Sequence, residues 1–136
     1  MTGLHRSHRH RLFWVTCLVA AIGIISRVVQ IGSSIWDKYV GDIVYAAVFY
    51  LLLSLIWGEG AVIVKVILTI VYVVAIETFQ LTQIPASLSQ STNLAIRAFA
   101  YVVLGSGFSW WDMLAYGVGI GGISLIDKVY FARART

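Results

Sequence analysis

Hydrophobic residues in this chain form long, nearly uninterrupted blocks that are separated by short segments of glycine and polar residues. A helix needs about 20 apolar residues to cross the ~30 Å hydrocarbon core of a membrane, and these blocks have that length. They predict spanning helices over residues 12–31, 39–57, 61–80 and 110–130. The pattern therefore predicts an all-α membrane protein with four transmembrane helices, forming a single domain over residues 1–136.

A fifth apolar stretch, residues 94–104, is interrupted by Arg97 and has roughly half the length of a span. Pro85 and a polar run over residues 87–93 precede it, so the third span does not continue into it. We expect this stretch to form an additional short interfacial or re-entrant helix. Between the second and third spans, Gly58-Glu59-Gly60 predicts a tight turn that joins antiparallel neighbours.

Composition supports the same class of protein. The chain is 60% hydrophobic and only 12% charged, whereas charged residues make up about a quarter of an ordinary soluble domain. The net charge of +4 does not indicate nucleic-acid binding, because the basic residues flank the first and last apolar blocks. By the positive-inside rule, this distribution predicts that both termini lie in the cytoplasm. The flanking residues are Arg6, Arg9, Arg11, Lys128, Arg133 and Arg135.

Two features of the spans are expected to serve the fold alone. Lys65 stands near the start of the third span, where its long side chain is expected to snorkel outward to the headgroups. The fourth span carries Gly117 and Gly121 in a Gly-x-x-x-Gly pair, with Gly119 and Gly122 beside them. Small residues let helix backbones approach closely, and in so small a bundle they favour internal packing over dimerisation.

Every predicted span also carries one charged residue near the same end of the bundle. At ~1.5 Å per residue, these charges lie roughly 22 to 25 Å from the cytoplasmic ends of their spans. Because successive spans alternate in direction, the charges share one level, just inside the extracytoplasmic interface. Hydrogen-bonding side chains three or four positions away share their helix faces, and the loops add further charges on this side. The candidate binding site comprises Arg27, Asp37, Asp42, Glu77, Gln80, Arg97, Asp112 and Tyr116.

The chemistry of this polar layer has several interpretations. Three carboxylates suit a divalent cation, but Arg27 and Arg97 argue against a metal cage, so no metal and no cofactor is predicted. Arginine forks match phosphate, and carboxylates accept hydrogen bonds from sugar hydroxyls. The favoured partners are therefore membrane lipids, with a lipid-linked phosphate or sugar headgroup in the site. A purely structural role, in which the charges pair to fix helix register, is the alternative.

Catalysis stays open but is not favoured. Glu77 or Asp112 is the candidate general base of a membrane enzyme acting on a lipid-linked substrate. No Ser-His-Asp set, no His-Cys metal motif and no phosphate-binding loop is present in the sequence. A transporter is disfavoured because its site would be expected near the membrane midplane. The sequence indicates no particular protein partner or oligomeric state.

The spaced polar residues over residues 26–121 resemble the VanZ-like bacterial membrane proteins, and most of all a small uncharacterised branch of that family. The resemblance is carried by motifs at five places along the chain. These are Ser26-Arg27, Asp37-Lys38 with Gly41-Asp42 and Tyr45, Glu77-x-x-Gln80, Arg97, and Gly105-x-Gly107-Phe108 before Asp112-x-x-x-Tyr116.

Two positions depart from the VanZ pattern. Members commonly carry a histidine shortly after the Asp-Lys pair and an asparagine four residues after the later aspartate, where this chain has Gly41 and Tyr116. No role that depends on that histidine is carried over. The family's name comes from a protein associated with resistance to lipid-tailed glycopeptide antibiotics such as teicoplanin. The resemblance thus implies a multi-pass protein of the bacterial cytoplasmic membrane with an envelope-facing, antibiotic-related role and no established reaction.

Overall fold

The computed structural model describes residues 2–33, 35–58, 60–105 and 107–131, and residues 2–8 and 130–131 through their backbone alone. All regular secondary structure in these ranges is helical. Some residues that carry the predictions above lie outside the described residues or have undescribed side chains. They are Ser34, Glu59, Arg133 and Arg135, which lie outside, and Arg6, whose side chain is not described.

In the described part of the chain, four long helices and two short ones follow one another, with three π-helical segments between or after them. The long helices are α1 (Thr2–Val28), α2 (Gly41–Ile56), α3 (Val62–Gln80) and α6 (Trp110–Ile126), and the short ones are α4 (Ile84–Ser89) and α5 (Leu94–Phe99). The π-helical segments are Ile35–Val40 before α2, Ala100–Leu104 after α5, and Asp127–Phe131 after α6.

The predicted boundaries agree with these helices, with two differences. The first helix begins well before the predicted residue 12 and ends at Val28, before residue 31. Helix α4 was not predicted, because the polar run that surrounds it is typical of a loop. Pro85 stands in its first turn, where a missing N–H costs nothing, and the Ser87 hydroxyl donates to the carbonyl oxygen of Ile84 at 2.8 Å.

Three helical segments of the described chain are long and apolar enough to cross a membrane: Arg9–Val28, Ile35–Ile56 and Val62–Gln80. The segment Leu94–Leu104 is apolar but shorter, as predicted. Large apolar side chains cover the outer surfaces of the long helices, among them Trp14 and Leu18 on α1 and Ile67 on α3. Such a continuous apolar exterior is unfavourable in water and suits a hydrocarbon environment.

Helix α2 is the centre of the bundle, because it packs against α1, α3 and α6. Its contact with α6 depends on Gly119, where an added Cβ would collide with the backbone carbonyl of Ile43. Gly117 and Gly121 have nothing within 4 Å of a Cβ, because they lie on the opposite face of α6. Internal packing is thus confirmed for Gly119, and the prediction is wrong for Gly117, Gly121 and Gly122, since a Cβ at Gly122 also meets nothing within 4 Å.

The prediction that Lys65 snorkels outward is also wrong. Lys65 is 0% exposed, and its Nζ atom donates to Asp127 Oδ2 at 2.5 Å and to Ser54 Oγ at 3.1 Å. Tyr50 donates its hydroxyl to the same Asp127 oxygen at 2.6 Å. The inward face of α3 carries Lys65, and the π-helical segment after α6 supplies the counter-charge. A buried ionic cluster therefore joins α2, α3 and α6 at the end of the bundle opposite the predicted polar layer.

Candidate functional site

Four helix ends meet at the other end of the bundle: the last turns of α1 and α3 and the first turns of α2 and α6. They enclose a cavity of about 380 Å³ together with the π-helical segment Ala100–Leu104 and the loop that follows it. Most of the predicted site residues line this cavity. They are Arg27, Asp37, Asp42, Gln80, Asp112 and Tyr116.

Arg27 and Asp42 form the wall between α1 and α2. Arg27 Nη2 donates to Asp42 Oδ1 at 2.8 Å, and Nη1 donates to the carbonyl oxygen of Tyr101 at 3.2 Å. Tyr101 in turn donates its hydroxyl to the carbonyl oxygen of Arg27 at 3.3 Å. Gly41 leaves room for the arginine, since a Cβ there would lie 3.1 Å from the Arg27 side chain. The guanidinium therefore joins α1 to α2 and to the π-helical segment Ala100–Leu104.

Asp37 lines the cavity but organises the connection between α1 and α2. Its two carboxylate oxygens accept from the backbone N–H groups of Ile31 at 2.8 Å and Gly32 at 3.0 Å. Gly32 has a φ of +79°, a left-handed conformation that glycine adopts without steric cost. Trp36 closes the same turn by donating its indole N–H to the Val29 carbonyl at 3.1 Å. The Asp37 carboxylate is thus already satisfied by the backbone.

Gln80 fixes the loop on the far side of the cavity. Its Nε2 atom donates to the carbonyl oxygen of Leu104 at 2.7 Å, just where the π-helical segment ends. The next residue, Gly105, has a φ of +72°, and a Cβ there would lie 2.9 Å from Gln80 Nε2. The positive φ favours glycine at this break, and a side chain there would push the Gln80 amide away from its hydrogen bond to Leu104.

Glu77 lies behind the cavity wall and does not line it. It is 1% exposed, and its Oε1 atom accepts from the hydroxyl of Tyr116 at 2.9 Å. Tyr116 itself lines the cavity, so it connects the space to the buried acid. Asp112, one turn earlier on α6, is 7% exposed and lies 3.4 Å from the Nζ atom of Lys38. The Lys38 side chain is 50% exposed at the cavity edge.

Three buried oxygen atoms in this region have no hydrogen-bond partner among the described residues: Glu77 Oε2, Gln80 Oε1 and Asp112 Oδ1. Lys38 attracts Asp112 Oδ1 at 3.4 Å, but it does not complete a hydrogen bond to it. A buried acceptor without a donor costs about 1–3 kcal/mol. The site therefore has unused capacity to accept hydrogen bonds.

Besides Glu77, one other predicted site residue, Arg97, is not among the described lining residues of the cavity. The Asn93 side chain caps α5 by accepting from the N–H groups of Ala95 and Ile96, and all residues of this helix are exposed, Arg97 included. Lys38 and Tyr101 line the cavity and were not among the predicted site residues. Lys38 had a signal, its place beside Asp37 in the motif. Tyr101 acts partly through its backbone carbonyl, which no side-chain pattern reveals.

The described residues contain no group of three or more His, Cys, Asp or Glu side chains that could hold a metal ion. Within the described residues, fold and site together define an all-helical protein with three helices long and apolar enough to cross a membrane and a polar cavity at one end of the bundle.

Residues 31–120 match the family described as "Protein of unknown function (DUF2809)", and the chain belongs to this family. The matched segment contains every predicted site residue except Arg27. No curated protein and no solved structure was found to match the chain.

Proposed function

We propose that this protein crosses the bacterial cytoplasmic membrane four times, with both termini in the cytoplasm, and binds the headgroup of an amphiphile at its extracytoplasmic face. The amphiphile is a lipid-linked envelope precursor or another lipid-tailed molecule. The resemblance to the VanZ-like proteins stays a prediction. It contributes to this proposal the bacterial envelope setting and a role in the response to lipid-tailed antibiotics.

A fourth span is supported by the geometry of α6. This helix continues without a break into the π-helical segment that ends at Phe131, and together they extend over residues 110–131. At ~1.5 Å per residue the pair is roughly as long as the hydrocarbon core is thick. Helix α6 also packs along α2, which is itself long and apolar enough to span. An even number of spans agrees with basic residues at both termini.

The observation that carries the binding proposal is a polar cavity between helices whose outer surfaces are apolar. Its walls carry charged groups from α1, α2 and α6, and the exposed rings of Tyr101 and Phe108 lie among its lining residues. A lipid tail against the apolar exterior would place its headgroup at the level of this cavity. Aromatic rings at such an edge are typical of the membrane interface.

Binding is favoured over catalysis at this site. Of the two candidate bases, Asp112 lines the cavity and Glu77 is separated from it by Tyr116. The lining residues of the described cavity include no histidine and no cysteine. The groups present can hold and orient a headgroup, and Asp112 is the carboxylate placed to touch it.

Filling the cavity tests the proposal. Gly107 lines it, and a Cβ at Gly107 meets nothing within 4 Å, so Gly107→Phe adds bulk without a clash at the backbone. Gly117→Phe is the matched control, because Gly117 is equally open but lies on the outer face of α6. Lipids that co-purify with each folded variant in nanodiscs would be identified by mass spectrometry.

We expect Gly107→Phe to lose a bound amphiphile that the wild type and Gly117→Phe both retain. Equal retention by all three proteins, with unchanged thermal stability, would refute binding in the cavity.

A further inference from the structure

Two residues that line the cavity carry buried oxygen atoms that accept no hydrogen bond in the described structure. Gln80 Oε1 and Asp112 Oδ1 belong to residues that line the cavity and are 6% and 7% exposed. Neither atom has a hydrogen-bond partner. Buried polar atoms are nearly always satisfied in folded proteins, so two unsatisfied acceptors on residues of α3 and α6 that line one cavity indicate a missing donor.

Most side-chain donors around the cavity are already engaged, except for Lys38 and the Ser109 hydroxyl, which makes no hydrogen bond in the described structure. Arg27 donates to Asp42 and to the Tyr101 carbonyl, and the Gln80 amide N–H donates to Leu104. Tyr116 donates to Glu77, behind the wall. Among the lining cations, Lys38 alone keeps a half-exposed ammonium group, at the cavity edge. An incoming anion would thus meet few free donors in the interior.

The balance of charge points in the same direction. The described lining residues include two cations, Arg27 and Lys38, and three carboxylates, Asp37, Asp42 and Asp112. With all of these ionised, the lining has an excess of one negative charge. The sequence predicted that arginine side chains would bind a phosphate. In the structure neither arginine is placed to do so, because Arg27 is paired with Asp42 and Arg97 does not line the cavity.

We infer that the cavity recognises a headgroup through the hydrogen-bond donors of that headgroup, with Gln80 Oε1 and Asp112 Oδ1 as the accepting atoms. The shared chemistry is an O–H or N–H group, carried either by the hydroxyls of a sugar or polyol or by a primary ammonium. A phosphate of the same amphiphile lies at the edge, beside Lys38. This inference rests on the proposed binding function and specifies its ligand class.

Two matched pairs of lipids distinguish recognition of headgroup hydrogen-bond donors from recognition of headgroup charge, because the two members of each pair have the same charge and differ in donors. Phosphatidylethanolamine and phosphatidylcholine differ in the N–H donors of their cationic headgroups. Phosphatidylglycerol and phosphatidylmethanol are both phosphodiester anions, and only the first carries hydroxyls. Each pair would be mixed in equal amounts, with acyl chains that differ in mass from those of the matrix, into phosphatidylcholine nanodiscs that contain the full chain. Bound lipid would be counted by native mass spectrometry.

We expect the donor-bearing member of at least one pair to be enriched about three- to tenfold, the effect of one added hydrogen bond. Enrichment in the first pair identifies an ammonium ligand, and enrichment in the second identifies hydroxyls. Asp112→Asn, which keeps the shape but replaces an acceptor by an NH₂ donor, is expected to reduce the preference.

Equal binding within both pairs, or a preference for phosphatidylmethanol, would overturn the inference while leaving cavity binding intact if Gly107→Phe still releases lipid. If Gly107→Phe releases nothing, the binding function itself fails. The comparison of lipid pairs uses the wild-type chain, so it decides the question even if Asp112→Asn does not fold.

Discussion

Removing the charge of Lys65 should destabilise the protein more than any comparable change on its surface. The side chain is fully buried, and its ammonium lies 2.5 Å from Asp127 Oδ2 and 3.1 Å from Ser54 Oγ. Met has a similar length and no charge, so Lys65→Met preserves packing while leaving the Asp127 carboxylate without its ammonium partner. Asp127 is itself only 4% exposed.

The expected magnitude follows from this burial. Removing one partner of a buried pair costs about 3–5 kcal/mol, because the remaining charge stays buried without the attraction of that partner. Removing both charges avoids that penalty. We therefore expect the double variant Lys65→Met, Asp127→Asn to be more stable than Lys65→Met alone, with a coupling energy of about 1–3 kcal/mol between the two sites.

Reversible unfolding in mixed micelles, titrated with sodium dodecyl sulfate and followed by circular dichroism, measures these free energies. Lys128→Met is the control, because Lys128 neighbours Asp127 but is exposed. Its effect should stay within about 0.5 kcal/mol. A loss below about 1 kcal/mol for Lys65→Met, or strictly additive costs in the double variant, would contradict the buried ionic cluster.

Three further substitutions test the contacts of α6. Gly119→Ala would drive a Cβ into the Ile43 carbonyl and should lower the free energy of unfolding by about 1–3 kcal/mol in the same titration. Gly117→Ala should be neutral or stabilising by up to about 1 kcal/mol. Equal effects of the two substitutions would contradict the assigned helix face. Tyr116→Phe removes the hydroxyl that donates to Glu77 and should cost about 1–3 kcal/mol, and an unchanged stability would show that this carboxylate has another donor.

Much of the fold follows from one property of the sequence, the length of its apolar blocks. The predicted span 61–80 and the short segment 94–104 correspond to helical segments that begin and end within a residue or two. Hydrocarbon thickness and helical rise set these lengths, so tertiary contacts do little to change them. Helix α4 was not predicted because it has only six residues, which include a proline and show no hydrophobic period. Local hydrogen bonds from serine side chains stabilise it instead.

The same helical-rise arithmetic predicted that the charged residues lie at one end of the bundle, but it did not predict the role of each residue there. Arg27, Asp42 and Asp112 do meet around one cavity. Which carboxylate pairs with Arg27, however, depends on helix rotation and on the small Gly41 beside it. Likewise, Asp37 is satisfied by two backbone N–H groups, and Gln80 holds a backbone carbonyl. Backbone partners carry no side-chain signal, so the sequence could not separate these supporting residues from those facing the cavity.

The two polar clusters of this bundle differ in a way that bears on function. At one end, a lysine and an aspartate are buried together, and each has short hydrogen bonds. That arrangement satisfies its charges internally and has the character of a structural clasp. At the other end, the charges surround open space, and Gln80 and Asp112 retain unpaired oxygens. The first cluster has its charges paired within the protein, whereas the second keeps acceptor oxygens without donors, which lowers stability. This difference is expected if the proposed ligand supplies the missing hydrogen bonds.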